Sequence, residues 1–199
     1  TPETMPHVYR LATESQWYDN HFSCSNGTRT SIFGLFFSVP GHYWESFVPS
    51  HVSPVFIDEL LTEGYQLRIH GSATLVDPPF ASAIFQRVPH LQISTPGATT
   101  YDRDRRITGN FIRELPTLKQ KAPFFAFLFY DLAHSFEYPK KLPKKFTPSW
   151  DYADYTRLSN DTDPTPFFNL YRNCCWQIDQ MIGEVIAQLK QEGLYDNTI

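Results

Sequence analysis

Pro123-Phe124-Phe125-Ala126-Phe127-Leu128-Phe129-Tyr130-Asp131-Leu132-Ala133-His134 is the stretch that decides how this chain folds. From Phe124 to Tyr130 every residue is apolar, with no alternation. A strand with one wet face alternates apolar and polar residues. An unbroken run of this length instead predicts a strand covered on both faces, inside a parallel sheet flanked by helices. It is too short to cross a bilayer, which takes about 20 apolar residues in a helix. The polar turn from Asp131 to Ser135 then falls beyond the carboxyl end of that strand, where ligands collect in doubly wound sheets.

Working outward, Tyr65 to His70 alternates apolar and polar residues and predicts a second strand. Before it, Ser53-Pro54 opens and Gly64 closes a short helix, with Ser53 as N-cap and Pro54 in the first helical position. Ile107, Phe111 and Leu115 form the inward stripe of a helix from about Tyr101 to Leu115, with the Asp102–Arg106 charges outward and Pro116 as its end or kink. The last helix starts at Thr165-Pro166, repeats apolar residues through Phe167, Tyr171, Cys174, Ile178, Met181, Val185 and Leu189, and stops at Gly193. Trp17 to Phe22 reads as a further strand and Ile32 to Phe37 as a helix. Helices and strands in this order predict an α/β fold, a mostly parallel sheet with helices on both faces. Residues 136–164 form a long excursion rich in Pro, Lys and Asp.

The chain has 199 residues, of which 41% are hydrophobic and 19% charged, with a net charge of −4. This composition excludes a disordered tail and a basic nucleic-acid-binding module. Three cysteines, two of them adjacent (Cys174-Cys175), give neither a disulfide framework nor zinc-finger spacing, and Cys174 falls on the apolar stripe of the last helix. The seven histidines show no H-x-x-x-H spacing. The chain opens on Thr1 and stops at Asn197-Thr198-Ile199, so it is expected to be a piece of a longer protein, truncated at both ends.

Two turns carry chemistry. Ser25-Asn26-Gly27-Thr28-Arg29-Thr30-Ser31 joins the first expected strand to a helix. Hydroxyls at such a turn can meet a phosphate or sulfate ester at the helix N-terminus, with Arg29 clamping its non-bridging oxygens; the same residue types also serve as ordinary turn and cap residues. His134 at the other strand end can give a proton to an ester oxygen, or be a structural histidine. Lys140, Lys141, Lys144 and Lys145 are either a solvated loop or a contact for anionic lipid headgroups.

With both turns in view, the sequence resembles the sulfatase/alkaline-phosphatase superfamily. Thr4-Met5-Pro6-His7-Val8-Tyr9-Arg10-Leu11-Ala12 is similar to the family's "TMPNLxRLA" helix, and Ser25 to Leu35 to its C-x-P-S-R-x-x-L-L-T-G nucleophile turn. Pro123 to His134 resembles "PFFLYLxxxxPH", and Tyr171 to Ile199 the helix leading to "TIVVFTSDHG". His21-Phe22-Ser23, Ser25–Thr28, Ile32–Phe37 and Pro40-Gly41-His42-Tyr43-Trp44 look most like the YejM (PbgA)-type inner-membrane proteins, relatives of lipoteichoic-acid synthase and the phosphoethanolamine transferases.

The resemblance implies that residues 1–199 are part of a periplasmic sulfatase-like domain at the Gram-negative inner membrane, concerned with lipopolysaccharide and cardiolipin homeostasis. It puts the nucleophile at Thr28 in the lipoteichoic-synthase register or at Ser25 in the sulfatase register, where Cys24 sits one position early. Arg29 and His134 complete the implied catalytic set, with Thr28 as the one residue of this chain able to touch a metal. The principal ligands of the family's divalent cation (Zn, Mg, Mn or Ca) are expected outside this chain, which is then metal-free and inactive. Two functions follow: a metal-dependent hydrolase or transferase of phosphate or sulfate esters, or a binding and regulatory domain that has weakened or lost catalysis. The latter would contact anionic lipid or lipopolysaccharide headgroups, or an envelope protein, through Tyr43, Trp44, Phe47 and the lysine loop. No nucleic-acid partner is expected, and self-association is.

Overall fold

The computed structural model describes residues 1–120 and 123–199. In chain order its elements are α1 (Pro6–Glu14), α2 (Thr28–Phe37), α3 (Trp44–Phe47), α4 (Val55–Thr62), β1 (Gln66–Gly71), α5 (Phe80–Ala83), α6 (Thr100–Leu118), β2 (Phe124–Phe129), α7 (Leu132–Ser135) and α8 (Thr165–Gln191). They fall into two compact units. One comprises Thr1–Trp17, Pro96–Leu115 and Tyr130–Ile199; the other comprises Tyr18–Thr95 and Pro116–Phe129.

The second unit holds the sheet. β1 and β2 pair in parallel, from Gln66 opposite Phe124 to Gly71 opposite Phe129. The apolar run does become a strand, but each of its residues is half-buried rather than covered on both faces. β1 is its one strand partner among the described residues. The core beside the sheet is aromatic. Phe36 meets Phe85 and Phe127 edge-on at 5.0 and 5.3 Å between ring centres, and Phe33 meets Trp44 at 5.8 Å.

The first unit is built on α8. Leu170, Cys174 and Ile178 of its inner stripe pack with Leu132, Tyr138 and Trp150, as the three-and-four spacing requires. Gly193, at φ +68, follows the helix in the left-handed conformation that glycine tolerates. α1 lies along α8. Met5, at its N-cap, offers no side-chain hydrogen bond; instead buried Asp179 of α8 accepts the His7 and Val8 N–H groups at 3.1 and 2.9 Å. One turn further along α8, a Cβ on Gly183 would stand 2.7 Å from the His7 ring, so only glycine admits α1 this closely.

Several expectations shift. Trp17 to Phe22 forms no strand; Trp17, Tyr18 and Phe22 are 64%, 73% and 85% exposed, and Asp19-Asn20-His21 interrupts the apolar pattern needed for burial. α2 begins at Thr28, four residues before Ile32, because the Gly27 carbonyl already accepts the Ser31 N–H at 2.9 Å. Pro54, with extended ψ of 132°, is itself the N-cap of α4, and Ser53 lies one residue outside. α6 continues past Pro116 to Leu118, since a proline this close to a helix end forfeits only one backbone bond.

Candidate functional site

The hydroxyl-rich turn lies in the unit that holds the sheet, and its hydroxyls have divided tasks. Ser23 Oγ and Ser31 Oγ converge on the Ser25 carbonyl oxygen at 2.6 and 2.7 Å, and on each other at 2.9 Å. Ser25 Oγ accepts the Gly27 N–H at 3.3 Å, and Thr30 Oγ1 donates to the Gly27 carbonyl at 3.3 Å. These four hydroxyls shape the turn. Thr28 is exposed, and its hydroxyl takes no hydrogen bond from or to any described residue. Of the two nucleophile candidates, Ser25 is thus engaged by the turn and Thr28 is open.

None of these side chains caps α2, whose N-cap is Gly27 with extended backbone. The first-turn N–H groups are therefore left for solvent or an anion, where the helix dipole favours negative charge. Arg29 is partly exposed, 5.9 Å from the centre of the Trp44 ring and 4.0 Å from the Glu45 carboxylate. Trp44 is itself buried, Phe47 half-buried and Tyr43 exposed, so of the three proposed contact aromatics Tyr43 is the open one. Cys24 is exposed and packs over Gly34, where an added Cβ would come within 2.5 Å of the Cys24 Cβ.

His134 lies in the other unit, on α7, and is exposed. What holds its helix is α6. Asp104, fully buried, accepts the Asp131 and Leu132 N–H groups at 3.0 Å each, doing for α7 what Asp179 does for α1. One turn before it, buried Thr100 closes the far end. Its hydroxyl meets Ser135 Oγ at 2.7 Å and the Glu137 carboxylate, which also takes the Thr100 N–H at 2.8 Å. Those bonds lower the Glu137 carboxyl below its ordinary range. Partial burial raises the Asp131 carboxyl, against the opposing pull of His134. Burial pushes the Tyr130 phenol, bonded to Thr108, up to about 12.

Asp104 and Thr100 are buried on the inner face of α6, whereas the sequence pattern alone turns the whole Asp102–Arg106 run outward. Residues 100, 104, 107, 111 and 115 follow one helical stripe, so the spacing itself places a carboxylate and a hydroxyl on the buried face.

The lysine loop divides. Lys144 Nζ donates to the Trp150 carbonyl at 2.9 Å and to Asp151 at 2.5 Å. Lys145 Nζ donates to the Glu3 carbonyl at 2.8 Å and stands 3.4 Å from the centre of the Trp176 ring. Both ammonium groups hold the chain's own backbone. Lys140 and Lys141 are exposed. Among the described residues no three His, Cys, Asp or Glu side chains are grouped to hold a metal ion. The described residues therefore offer no complete donor set for the family's divalent cation.

The chain is mixed α/β, with an uncapped helix start and an open Thr28 hydroxyl in one unit and His134 beyond the end of β2 in the other. Comparison with known proteins gives the family: the sulfatase model matches residues 1–199, and the chain belongs to the sulfatase family. It is 24% identical over 195 residues to the inner membrane protein YejM of Salmonella typhimurium, covering 98% of this chain and 28% of that protein, and equally to YejM of Salmonella typhi. An uncharacterized protein of Haemophilus influenzae is 27% identical over 161 residues, 81% of this chain and 24% of that one. The chain thus spans about a quarter of the length of the curated relatives it matches. No helix among the described residues is long and apolar enough to cross a membrane.

Proposed function

We propose that this chain recognises anionic phosphate-bearing headgroups, of lipopolysaccharide or of phospholipid, for an envelope protein at the periplasmic face of the Gram-negative inner membrane. Its role there is binding and regulation of envelope lipid homeostasis, with catalysis weakened or lost. The carrying observation is the start of α2: no side chain caps it, the Thr28 hydroxyl is open and Arg29 stands beside it. Distant kinship to an inner membrane protein supports the location. Lys140 and Lys141 supply exposed cations of the lysine loop, whereas the ammonium groups of Lys144 and Lys145 are hydrogen-bonded to carbonyl oxygens of the chain.

The test is co-sedimentation with vesicles containing cardiolipin, against vesicles of phosphatidylcholine alone, at rising salt. Binding should require the anionic lipid and weaken with salt. Arg29→Ala should reduce it more than Lys140→Ala with Lys141→Ala. Equal sedimentation with both vesicle types ends the proposal.

A second reading, transfer or hydrolysis of a phosphate ester, is favoured by the same open hydroxyl. The Thr28 oxygen would attack phosphorus and lose its proton to solvent; the ester P–O bond would break, and water would later release the phosphoryl group. The leaving oxygen takes a proton, a role the family resemblance gives to His134. Turnover of an aryl phosphate that disappears in Thr28→Ala supports this reading; turnover that survives the substitution removes it.

A further inference from the structure

We propose that Asn26-Gly27 is a self-modification site, at which the Asn26 amide converts to a carboxylate directly beside the start of α2. Of the seven asparagines, only Asn26 precedes glycine. The backbone nitrogen after an asparagine can attack the side-chain amide, and a following side chain hinders that approach. Gly27 has none. A Cβ placed there would meet nothing nearer than Thr30 Oγ1 at 3.7 Å, so the space beside the Gly27 Cα is open. Asn26 is exposed, and the Gly27 N–H is held only by the long 3.3 Å bond to Ser25 Oγ, outside the helical ladder. Asn169 and Asn173, by contrast, are buried with their amides donating to the Pro148 and Phe146 carbonyls at 2.9 Å each.

The step balances without an oxidant or cofactor. Gly27 N bonds to Asn26 Cγ, the Cγ–Nδ2 bond breaks, and ammonia leaves carrying the Gly27 proton. Water then opens the five-membered imide. Opening at Cγ gives aspartate; opening at the main-chain carbonyl gives isoaspartate, with the chain rerouted through Cγ. Both products put a negative charge at the end of α2 that attracts one. The new carboxylate competes for the Arg29 guanidinium, and it repels the phosphate group assigned to this turn. This consequence rests on the anion-binding reading; the conversion itself does not.

The experiment incubates the whole chain in mildly alkaline and mildly acidic buffer and follows peptides by mass spectrometry. The expected result is an amide-to-acid mass gain at Asn26 that outruns those at exposed Asn20 and Asn160 and is faster in alkali. It should be lost in Asn26→Gln and slowed in Gly27→Ala. An Asn26 that converts no faster than Asn20 or Asn160 overturns the proposal. Titration of inorganic phosphate into Asn26→Asp separates the two ideas. Wild type that binds while Asn26→Asp binds less supports both. Equal affinity overturns the regulatory consequence. Wild type that binds no phosphate counts against the anion site, and the mass result alone then decides the modification.

Discussion

Removing the Asp179 carboxylate tests whether α1 is held by a cap borrowed from α8. In Asp179→Ala, the His7 and Val8 N–H groups lose acceptors at 3.1 and 2.9 Å, and α1 has no side-chain cap of its own to replace them. A hydrogen bond to a charged group contributes about 1.5–3 kcal/mol, so the pair sets an upper range of roughly 3–6 kcal/mol. Ordinary N-cap removal, where water reaches the freed groups, costs about 0.5–2 kcal/mol and sets the lower. Asp179 is fully buried, which places the loss near about 3 kcal/mol. For a chain of this length that lowers Tm by roughly 6–12 °C. Because α1 is the element released, hydrogen exchange localises the effect: protection of its amides should fall by about a hundredfold, the equivalent of that free energy. Asp179→Asn keeps one acceptor oxygen and should lose about half as much. Glu184→Ala on the same helix removes a surface partner of Arg105 and should stay within about 0.5 kcal/mol of wild type. If Asp179→Ala leaves both Tm and α1 exchange where they were, the borrowed cap contributes nothing and the account of α1 docking is wrong.

Asp104→Ala should cost about 2–4 kcal/mol in urea unfolding, by freeing the Asp131 and Leu132 N–H groups, and should raise hydrogen exchange in α7 above that in α8. Gly183→Ala drives a Cβ to 2.7 Å from the His7 ring and should cost about 1–3 kcal/mol by overpacking; His7→Ala in the same chain should recover most of it, as a double-mutant cycle in Tm would show. Glu137, whose folded pKa lies below its ordinary 4.5, contributes stability that is present above that value and is lost as pH falls through the lower folded value; Thr100→Val should flatten that acid limb in a pH series of unfolding midpoints. A thiol reagent at neutral pH should label exposed Cys24 and leave Cys174, whose thiol burial pushes up to about 12, untouched until the chain unfolds.

What the residues disclosed and what they concealed follow a physical line. α8 was legible because its signals are local: a proline in the first turn, apolar residues three and four apart, and a glycine after the end. β2 was legible as a strand for the same reason, but its cover was not, because burial depends on neighbours that a run of apolar residues does not name. The segment Trp17–Phe22 misled in the same way, since aromatic residues favour a strand only when a second strand and a core are present to receive them.

The candidate sites divide along that line too. The turn before α2 is local, so the Ser25–Ser31 sequence shows its hydroxyls together, but whether they cap the helix is open there, because it depends on bonds such as those of Ser23 and Ser31 to one carbonyl oxygen. The lysine loop looks uniform because sequence shows charge without its partners; Lys144 and Lys145 donate to carbonyl oxygens that nothing in the Lys-Lys-Leu-Pro-Lys-Lys pattern announces. The borrowed caps were hidden most deeply, since Asp179 serves residues 171 and 172 positions away, and Asp104 residues 27 and 28 away. Asp104 left one trace, an acidic residue standing on the apolar stripe of its helix; Asp179 left none, since it lies off the α8 stripe on the face that meets α1. A buried carboxylate is too costly to keep without donors to satisfy it. Here the donors are helix N-termini, and in the one case the helix so held carries the histidine of the candidate site.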